Sequence, residues 1–173
     1  MNNLAPYNRS PEEQRIWEIL AEVNDPEVPV LSILDLGIVR KVNVSPGDAG
    51  PELLITITPT YSGCPAVDVM SMDIRLKLLE KGYRQIRIQQ QLSPAWTTDW
   101  MTEQGKQKLK AYGIAPPNPR KARTDELFGE EYVPCPRCGS QHTELISQFA
   151  STACKAMYRC TSCKETFDYF KCH

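Results

Sequence analysis

Histidine is nearly absent from this chain of 173 residues, since only His142 and His173 occur, both near the C-terminus. The preceding part of the chain therefore has no histidine that could activate a cysteine or serine nucleophile. A histidine-based metal centre is excluded there for the same reason.

An excess of charge of either sign is also lacking, because 20 lysines and arginines are balanced by 21 aspartates and glutamates. A general attraction to nucleic acid or to an anionic membrane surface would require a basic excess. The sequence has no run of 18 apolar residues and no charged-then-apolar start typical of a signal peptide. We expect a cytoplasmic protein with no nucleic-acid partner and no membrane partner.

Cysteine, in contrast, is frequent: four of the seven cysteines form two Cys-x-x-Cys pairs separated by 21 residues, Cys135/Cys138 and Cys160/Cys163. This spacing lets both sulfurs of a pair reach one ion, and two pairs complete the tetrahedral shell of Zn²⁺. An odd cysteine count without an export signal favours metal binding over disulfides. Four protein ligands leave no open coordination position, so we predict a structural zinc.

The segment around these pairs predicts a zinc ribbon over 133–173. Strand patterns at 155–159 and 166–170 carry aromatic residues for a small core, and about 40 residues bury too little apolar surface to fold without a metal. Cys154 and Cys172 remain outside the two pairs. Substitution as ligands and redox chemistry are the alternatives for them, although the two pairs already saturate a zinc ion.

The N-terminal part begins with a helix and a hairpin. Ser10 and Glu13 make a capping-box pattern, and apolar residues at helical spacing follow until Pro26 forbids continuation. Two-residue alternation over 38–44 and 53–58, on either side of a loop rich in glycine and proline, indicates two antiparallel strands.

A second helix begins at Pro65, which suits the first helical position. The strand predicted over 84–90 follows that helix, so it should run parallel to the preceding strand through a crossover connection. The apolar face of the helix is formed by Val67, Met70, Ile74 and Leu78.

These elements predict the α+β class, a small α-β-β-α-β domain with a mixed sheet followed by a zinc ribbon. A further helix is expected over 103–112. The domain is predicted over 1–113, and a linker rich in proline and charge over 114–132 joins it to the ribbon at 133–173.

Cys64 is the candidate functional thiol of the first domain. A helix beginning at Pro65 would place Cys64 at the N-cap, where the helix dipole lowers the pKa of a thiol. Polar residues before it, among them Thr58 and Thr60, would surround a reactive or metal-binding thiolate. The alternative, which spacing alone favours, is a buried and inert core cysteine.

Two other groups of residues leave alternatives open. The carboxylates of Asp25, Glu27 and Asp35 lie within eleven residues of one another, and they would serve either acid/base chemistry or, more commonly, turn capping. Trp96 and Trp100 would either anchor a partner protein or lie buried under a loop.

Three segments carry a resemblance to a known family: DPEVP at 25–29, ILDLGIV at 33–39 and TPTYSGCP at 58–65. Over residues 12–114 the chain resembles the small iron–sulfur cluster assembly domains. With TACKA at 152–156 and FDYFK at 167–171, the whole chain resembles the D-subunit family of the bacterial phenylacetyl-CoA epoxidase system.

The resemblance implies a non-catalytic accessory role in aerobic phenylacetate degradation, where a di-iron monooxygenase converts phenylacetyl-CoA to its ring 1,2-epoxide. The implied task is maturation or metal-cluster insertion, with the iron–sulfur flavin reductase as the partner. Cys64 matches the family's reactive cysteine, and Asp35 matches the acidic position of its Asp-Leu-Gly turn. The implied cargo is a transient iron or iron–sulfur cluster at Cys64, which makes a functional Cys64 the preferred hypothesis.

One thiolate per chain is too few for a cluster that normally takes four, so the cargo would require a homodimer, a partner or small thiols. A second hypothesis is a structural or docking protein that binds the oxygenase through the ribbon and the tryptophans without metal transfer. A nucleic-acid-binding regulator would rest only on the ribbon aromatics, and the near-neutral charge argues against it.

Overall fold

The computed structural model describes residues 9–48, 50–118 and 133–171. The chain divides into two units, Met1–Thr102 and Glu103–His173. None of the helices in these ranges combines the length and the apolar character that a membrane crossing requires. The first unit contains a mixed sheet with two α-helices, and the second contains one α-helix and an antiparallel sheet.

The first helix, α1 (Pro11–Leu20), begins at the predicted capping box. The Glu13 N–H donates to the Ser10 hydroxyl at 3.1 Å, and the Ser10 N–H donates to the Glu13 carboxylate at 2.9 Å. These bonds satisfy N–H groups at the helix end that have no partner inside the helix. The helix is shorter than its apolar stripe predicts, because the Glu22 and Val23 N–H groups donate to the carbonyls three residues earlier, at 3.1 and 3.2 Å, and no longer continue the α-helical pattern.

The sheet of the first unit has the predicted mixed topology. Its strands are β1 (Val39–Ser45), β2 (Glu52–Ile57) and β3 (Gln85–Gln90), with β2 in the middle. β2 pairs antiparallel with β1 across the hairpin and parallel with β3. Helix α2 (Ala66–Glu80) supplies the crossover connection between β2 and β3. The predicted α+β class is confirmed.

The core of this unit lies against the sheet. Ile55 and Ile57 of β2 are fully buried. Each such side chain contributes about 1.5–3 kcal/mol relative to an exposed position. α2 buries the face that its spacing predicts, formed by Val67, Met70, Ile74 and Leu78.

Tyr83, which follows α2, connects back to the start of α1. Its hydroxyl donates to a carboxylate oxygen of Glu12 at 2.6 Å. Burial, followed by this hydrogen bond, raises the pKa of Tyr83 to about 12. Because the folded pKa lies above the unfolded pKa of about 10, the contact stabilises the fold below about pH 10 and loses this contribution as the pH rises through the folded pKa.

We expect an ultraviolet titration of the folded protein to show a tyrosine phase with a midpoint of about 12 that is missing in Tyr83→Phe. The difference between the two titration curves isolates this residue from the other tyrosines. A difference curve with an ordinary midpoint near 10 would contradict the assigned contact.

The second unit begins with α3 (Glu103–Tyr112), whose bounds match the prediction. Its sheet has the order β4 (Thr143–Ser147), β5 (Lys155–Cys160) and β6 (Thr166–Phe170), with both pairings antiparallel. The sequence pattern predicts β5 and β6 but misses β4. Most of the β4 side chains are exposed, so the strand lacks an apolar alternation.

Aromatic side chains form the core of this small sheet, as predicted. The rings of Tyr158 and Phe167 stack with their centroids 6.0 Å apart, and Tyr169 meets Tyr158 edge-on at 5.7 Å. The predicted domain boundaries at 113 and 133 stay a prediction, since most of the predicted linker lies outside the described residues.

Candidate functional site

The structure brings the sulfurs of the two Cys-x-x-Cys pairs together within 4.8 Å of one another. The Sγ atoms of Cys135 and Cys163 are 3.8 Å apart, and those of Cys138 and Cys160 are 3.6 Å apart. Zn–S bonds of about 2.3 Å in a tetrahedron place the sulfurs about 3.8 Å apart. The four thiolates therefore fit a zinc ion in both number and spacing.

Two matching turns position these sulfurs. Gly139 N–H donates to the Cys135 carbonyl at 2.9 Å, and Lys164 N–H donates to the Cys160 carbonyl at 2.9 Å. Gly139 and Lys164 both have positive φ, 72° and 66°, so each turn closes in the left-handed region. The sequence repeats one local geometry at both pairs.

A backbone hydrogen bond also stabilises the thiolate form of one of the four sulfurs. The Cys163 N–H donates to Sγ of Cys160 at 3.5 Å. This contact, against opposing burial, is the largest cause that lowers the pKa of Cys160 to about 6. Zinc binds the thiolate form of cysteine, and an N–H donated to the sulfur stabilises that form. The cluster is a structural zinc site with no open position for a substrate.

Cys154 does not join the four-sulfur cluster. It is buried, and its Sγ lies 3.0 Å from the hydroxyl oxygen of Thr152. Cys172 lies outside the described residues, as does His173.

Cys64 lies in the loop between the end of β2 and the start of α2. Its N–H donates to the Tyr61 carbonyl at 3.3 Å, and its side chain is 8% exposed. The prediction that Cys64 is the N-cap is wrong by one residue, because Pro65 occupies the cap with helical φ and ψ of −66° and −24°. Burial is compatible with both alternatives for this cysteine, the functional thiol and the core residue.

Thr58 opens the same loop and contains an unusual hydroxyl. Its side chain is 1% exposed, and Oγ1 has no hydrogen-bond partner among the described residues. A buried polar group without a partner costs about 1–3 kcal/mol. The spacing of residues in the sequence does not predict such an unpartnered hydroxyl, because its burial results from packing alone.

The predicted carboxylate group consists of turn residues and not of an acid/base pair. Oδ1 of Asp25 accepts the N–H groups of Glu27 and Val28 at 2.6 and 2.9 Å. Oδ2 of Asp35 accepts from the N–H and the hydroxyl of Ser32, both at 3.0 Å. Each aspartate stabilises its own turn.

Asp35 also connects its turn to a distant segment. Its Oδ1 accepts from the Thr102 hydroxyl at 3.2 Å, and its carbonyl accepts from the Thr102 N–H at 2.9 Å. These bonds join residues 67 positions apart. The structure therefore gives Asp35 an architectural role, which sequence spacing does not reveal.

Trp96 and Trp100 lie in the segment that precedes Thr102, and both pack against the turn that contains Asp35. Trp96 is 3% exposed, and its Nε1 donates to the Leu36 carbonyl at 2.8 Å. The Arg40 guanidinium carbon lies 3.5 Å from the centroid of the Trp100 ring. Burial lowers the pKa of Arg40. Trp96 therefore serves burial, and its interpretation as a partner anchor is wrong.

Comparison with known proteins assigns both parts of the chain. Residues 13–82 match the family described as iron–sulfur cluster assembly protein, and residues 119–171 match the PaaD zinc beta ribbon domain. The chain is 49% identical over 162 residues to a protein of Escherichia coli K12 described as the D-subunit of 1,2-phenylacetyl-CoA epoxidase. That alignment covers 94% of each chain. The chain belongs to the D-subunit family of phenylacetyl-CoA epoxidase.

Two further relatives each cover 56% of this D-subunit family member. An iron–sulfur protein maturation auxiliary factor of Porphyromonas gingivalis W83 is 35% identical over 98 residues, which are 56% of this chain and 90% of that protein. A domain of unknown function from Bacillus anthracis, solved by crystallography, has a TM-score of 0.49 and 26% identity, covering 56% of this chain and 90% of that one.

Proposed function

We propose that the chain is a cytoplasmic accessory protein that matures an iron–sulfur client of the phenylacetyl-CoA epoxidase system. In this proposal the client is the flavin-dependent iron–sulfur reductase, and the chain performs no catalysis of its own. Cys64 contributes a transient thiolate ligand to iron or to a cluster. The similarity to an epoxidase D-subunit and to an iron–sulfur maturation factor supports this assignment.

The position of Cys64 carries the proposal. It lies inside the span that matches iron–sulfur assembly proteins, and it belongs to no cluster of metal-ligating side chains within the described ranges. A single thiolate holds a cluster only together with other ligands, since iron–sulfur clusters normally take four cysteines. The missing ligands then come from the client or from small thiols, which suits transfer better than storage.

The Thr58 hydroxyl supports the binding of a polar or charged group in the loop that contains Cys64. It is buried and has no hydrogen-bond partner among the described residues. An unpartnered buried group of this kind calls for an explanation. We infer that it gains a partner when the loop is loaded with iron.

The zinc ribbon supplies docking and not chemistry in this proposal. Its closed four-sulfur site leaves no position for cargo. Large apolar side chains of the ribbon are exposed nevertheless: Leu145, Ile146 and Phe149. Exposed apolar groups of this size suit contact with a protein, and here the recipient protein would bind.

Cys64→Ser is expected to abolish client maturation in cells that depend on this chain, because serine removes the thiolate and keeps the size of the side chain. The measurement is the iron and sulfide content of the purified reductase. The matched control is Cys154→Ser, which changes another buried cysteine outside the proposed site. Circular dichroism checks that both variants are folded.

A reductase with a normal cluster from Cys64→Ser cells would refute metal transfer. If the variant then also copurified with the oxygenase in fixed stoichiometry and supported full activity, the hypothesis of a structural or docking protein would replace the proposal.

A further inference from the structure

Strand β3 forms an open edge of the sheet in the first unit. It pairs with β2 in a continuous register along its whole length, and no other strand pairs with it among the described residues. The opposite edge strand, β1, is interrupted by an irregularity between Val39 and Lys41. β3 is therefore the regular edge of this sheet, with a row of backbone groups that a further strand can pair with.

Two hydrogen bonds show which backbone groups of β3 point away from β2. The Gln91 N–H, just past the end of the strand, donates to the Ile57 carbonyl at 2.8 Å. Residues of a strand direct their N–H and C=O groups to alternate sides, so Ile86, Ile88 and Gln90 face the open side. The Ile86 carbonyl accordingly accepts from the Arg75 guanidinium of α2 at 3.0 Å. No hydrogen bond occupies the open side at Ile88 or Gln90 within the ranges that the structure describes.

Side chains beside this edge carry a surplus of positive charge. Arg84 and Arg87 line a groove of about 500 Å³, and Arg75 reaches the same edge from α2. Neither Arg84 nor Arg87 forms an ion pair in the part of the chain that the structure describes. Glu52 is the one carboxylate among the described residues that line the groove. Three guanidinium groups therefore face one carboxylate.

We propose that the β3 edge binds an extended acidic segment of another protein as a fourth strand of the sheet. The outward-facing groups of Ile86, Ile88 and Gln90 hydrogen-bond the backbone of the added strand, which gives affinity for an extended chain. Alternate side chains of that strand give specificity, since acidic ones lie beside Arg87 on one face and apolar ones beside Ile88 on the other. This inference does not depend on the role proposed for Cys64.

The burial of β3 supports the alternation that the proposal requires. Ile86 is buried and Ile88 is half-buried, on the face that packs against the core. Arg87 and Gln89 between and beyond them are exposed on the other face. An added strand therefore meets an apolar row on one face and a basic one on the other.

The charges select this occupant over a second copy of the chain. A two-fold pairing of β3 with itself that matches all three outward-facing residues has its axis at Ile88. This pairing makes the two Arg87 residues diagonal neighbours about 7–8 Å apart. The sequence from Lys81 to Thr98 contains no carboxylate to pair with them. Charges of one sign on an edge strand keep identical edges apart, whereas an acidic segment converts the same charges into an attraction.

An NMR titration of the full chain with a synthetic peptide tests the proposal. The probe is a short capped peptide that alternates glutamate with valine, and the matched control peptide has lysine in place of glutamate. A single strand buries less than the roughly 800 Å² per partner of a stable interface, so we expect a dissociation constant of the order of 100 µM for the acidic peptide. Amide shifts should concentrate at Ile86, Ile88 and Gln90, and the basic peptide should bind at least about tenfold more weakly.

Arg87→Glu tests the charge selection, because it should reverse the preference from the acidic to the basic peptide. Lys41→Glu, which changes an exposed cation on β1, is the matched control and should keep the preference for the acidic peptide. Circular dichroism checks that both variants are folded.

Absence of binding at about 1 mM acidic peptide would overturn the proposal. Equal binding of the two peptides by wild type would overturn it as well, and so would amide shifts that lie outside β3 or an unchanged preference in Arg87→Glu. A concentration-dependent dimer whose contact maps to β3 would also contradict it, since a second copy would then occupy the edge.

Discussion

Cys160→Ser is expected to release the zinc and unfold the ribbon while the first unit stays folded. The Sγ of Cys160 lies 3.6 Å from that of Cys138 within the four-sulfur cluster, and it accepts the Cys163 N–H at 3.5 Å, a contact that stabilises the thiolate form that zinc binds. Structural zinc supplies about 10–16 kcal/mol of apparent binding free energy in small zinc modules, which is folding free energy for a sheet of this size. Loss of one thiolate therefore removes the largest single stabilising contribution.

Metal analysis and amide NMR spectra of the full chain measure this effect. Zinc should fall from about one per chain to near zero, and the dispersed signals of β5 and β6 should collapse. Cys154→Ser is the control, since Cys154 is buried in the same unit but lies outside the cluster. Retention of zinc and of signal dispersion in Cys160→Ser would show that this sulfur is not a ligand.

Gly37→Ala is expected to destabilise the first unit by about 3–5 kcal/mol. Gly37 has φ of +67°, and a Cβ built on it would lie 2.3 Å from the backbone carbonyl oxygen of Trp100. The left-handed conformation alone costs about 1–2 kcal/mol for a residue with a Cβ. The remainder comes from the overlap, because the Trp96 and Asp35 hydrogen bonds hold the Trp100 segment against the turn.

Urea unfolding separates these two costs. Gly82→Ala is the matched control, because Gly82 also has a positive φ of +94° but a Cβ there would meet nothing within 4 Å. It should lose only the backbone contribution of about 1–2 kcal/mol. Equal losses in both variants would show that the Trp100 segment moves away at no cost.

Local sequence signals account for much of this fold. The Ser10–Glu13 capping box, the α2 core face and the spacing of the four zinc cysteines are each encoded within a few residues. Local rules suffice for such features because helix caps and Cys-x-x-Cys turns close over short distances. The parallel pairing of β2 and β3 also follows, since a connecting helix leaves little choice of direction.

Features that depend on distant contacts were not predictable. Asp35 bonds to Thr102, and Trp96 bonds to Leu36, across 67 and 60 positions. Neither hydrogen bond produces a periodic pattern in the sequence from which it could be predicted. The burial of the Thr58 hydroxyl likewise arises from three-dimensional packing.

The one-residue error at Cys64 has a local cause. Proline is common at the first helical position, which assigns the cap to the preceding residue. In the structure Pro65 itself takes the cap, and Cys64 lies in the loop before it. The functional case for Cys64 therefore rests on the loop and the family match, and no longer on a position at the helix cap.

Anaerobic metal loading of purified full-length protein tests the central claim most directly. Wild type and Cys64→Ser are incubated with ferric iron, sulfide and glutathione, which reduces part of the iron, and are then desalted and analysed for iron, sulfide and zinc. The account predicts about one zinc in both proteins, which verifies an intact ribbon, and iron with sulfide only in wild type. Equal iron in the two proteins, or none in either, would contradict a role for Cys64 as the ligand of an iron–sulfur cargo.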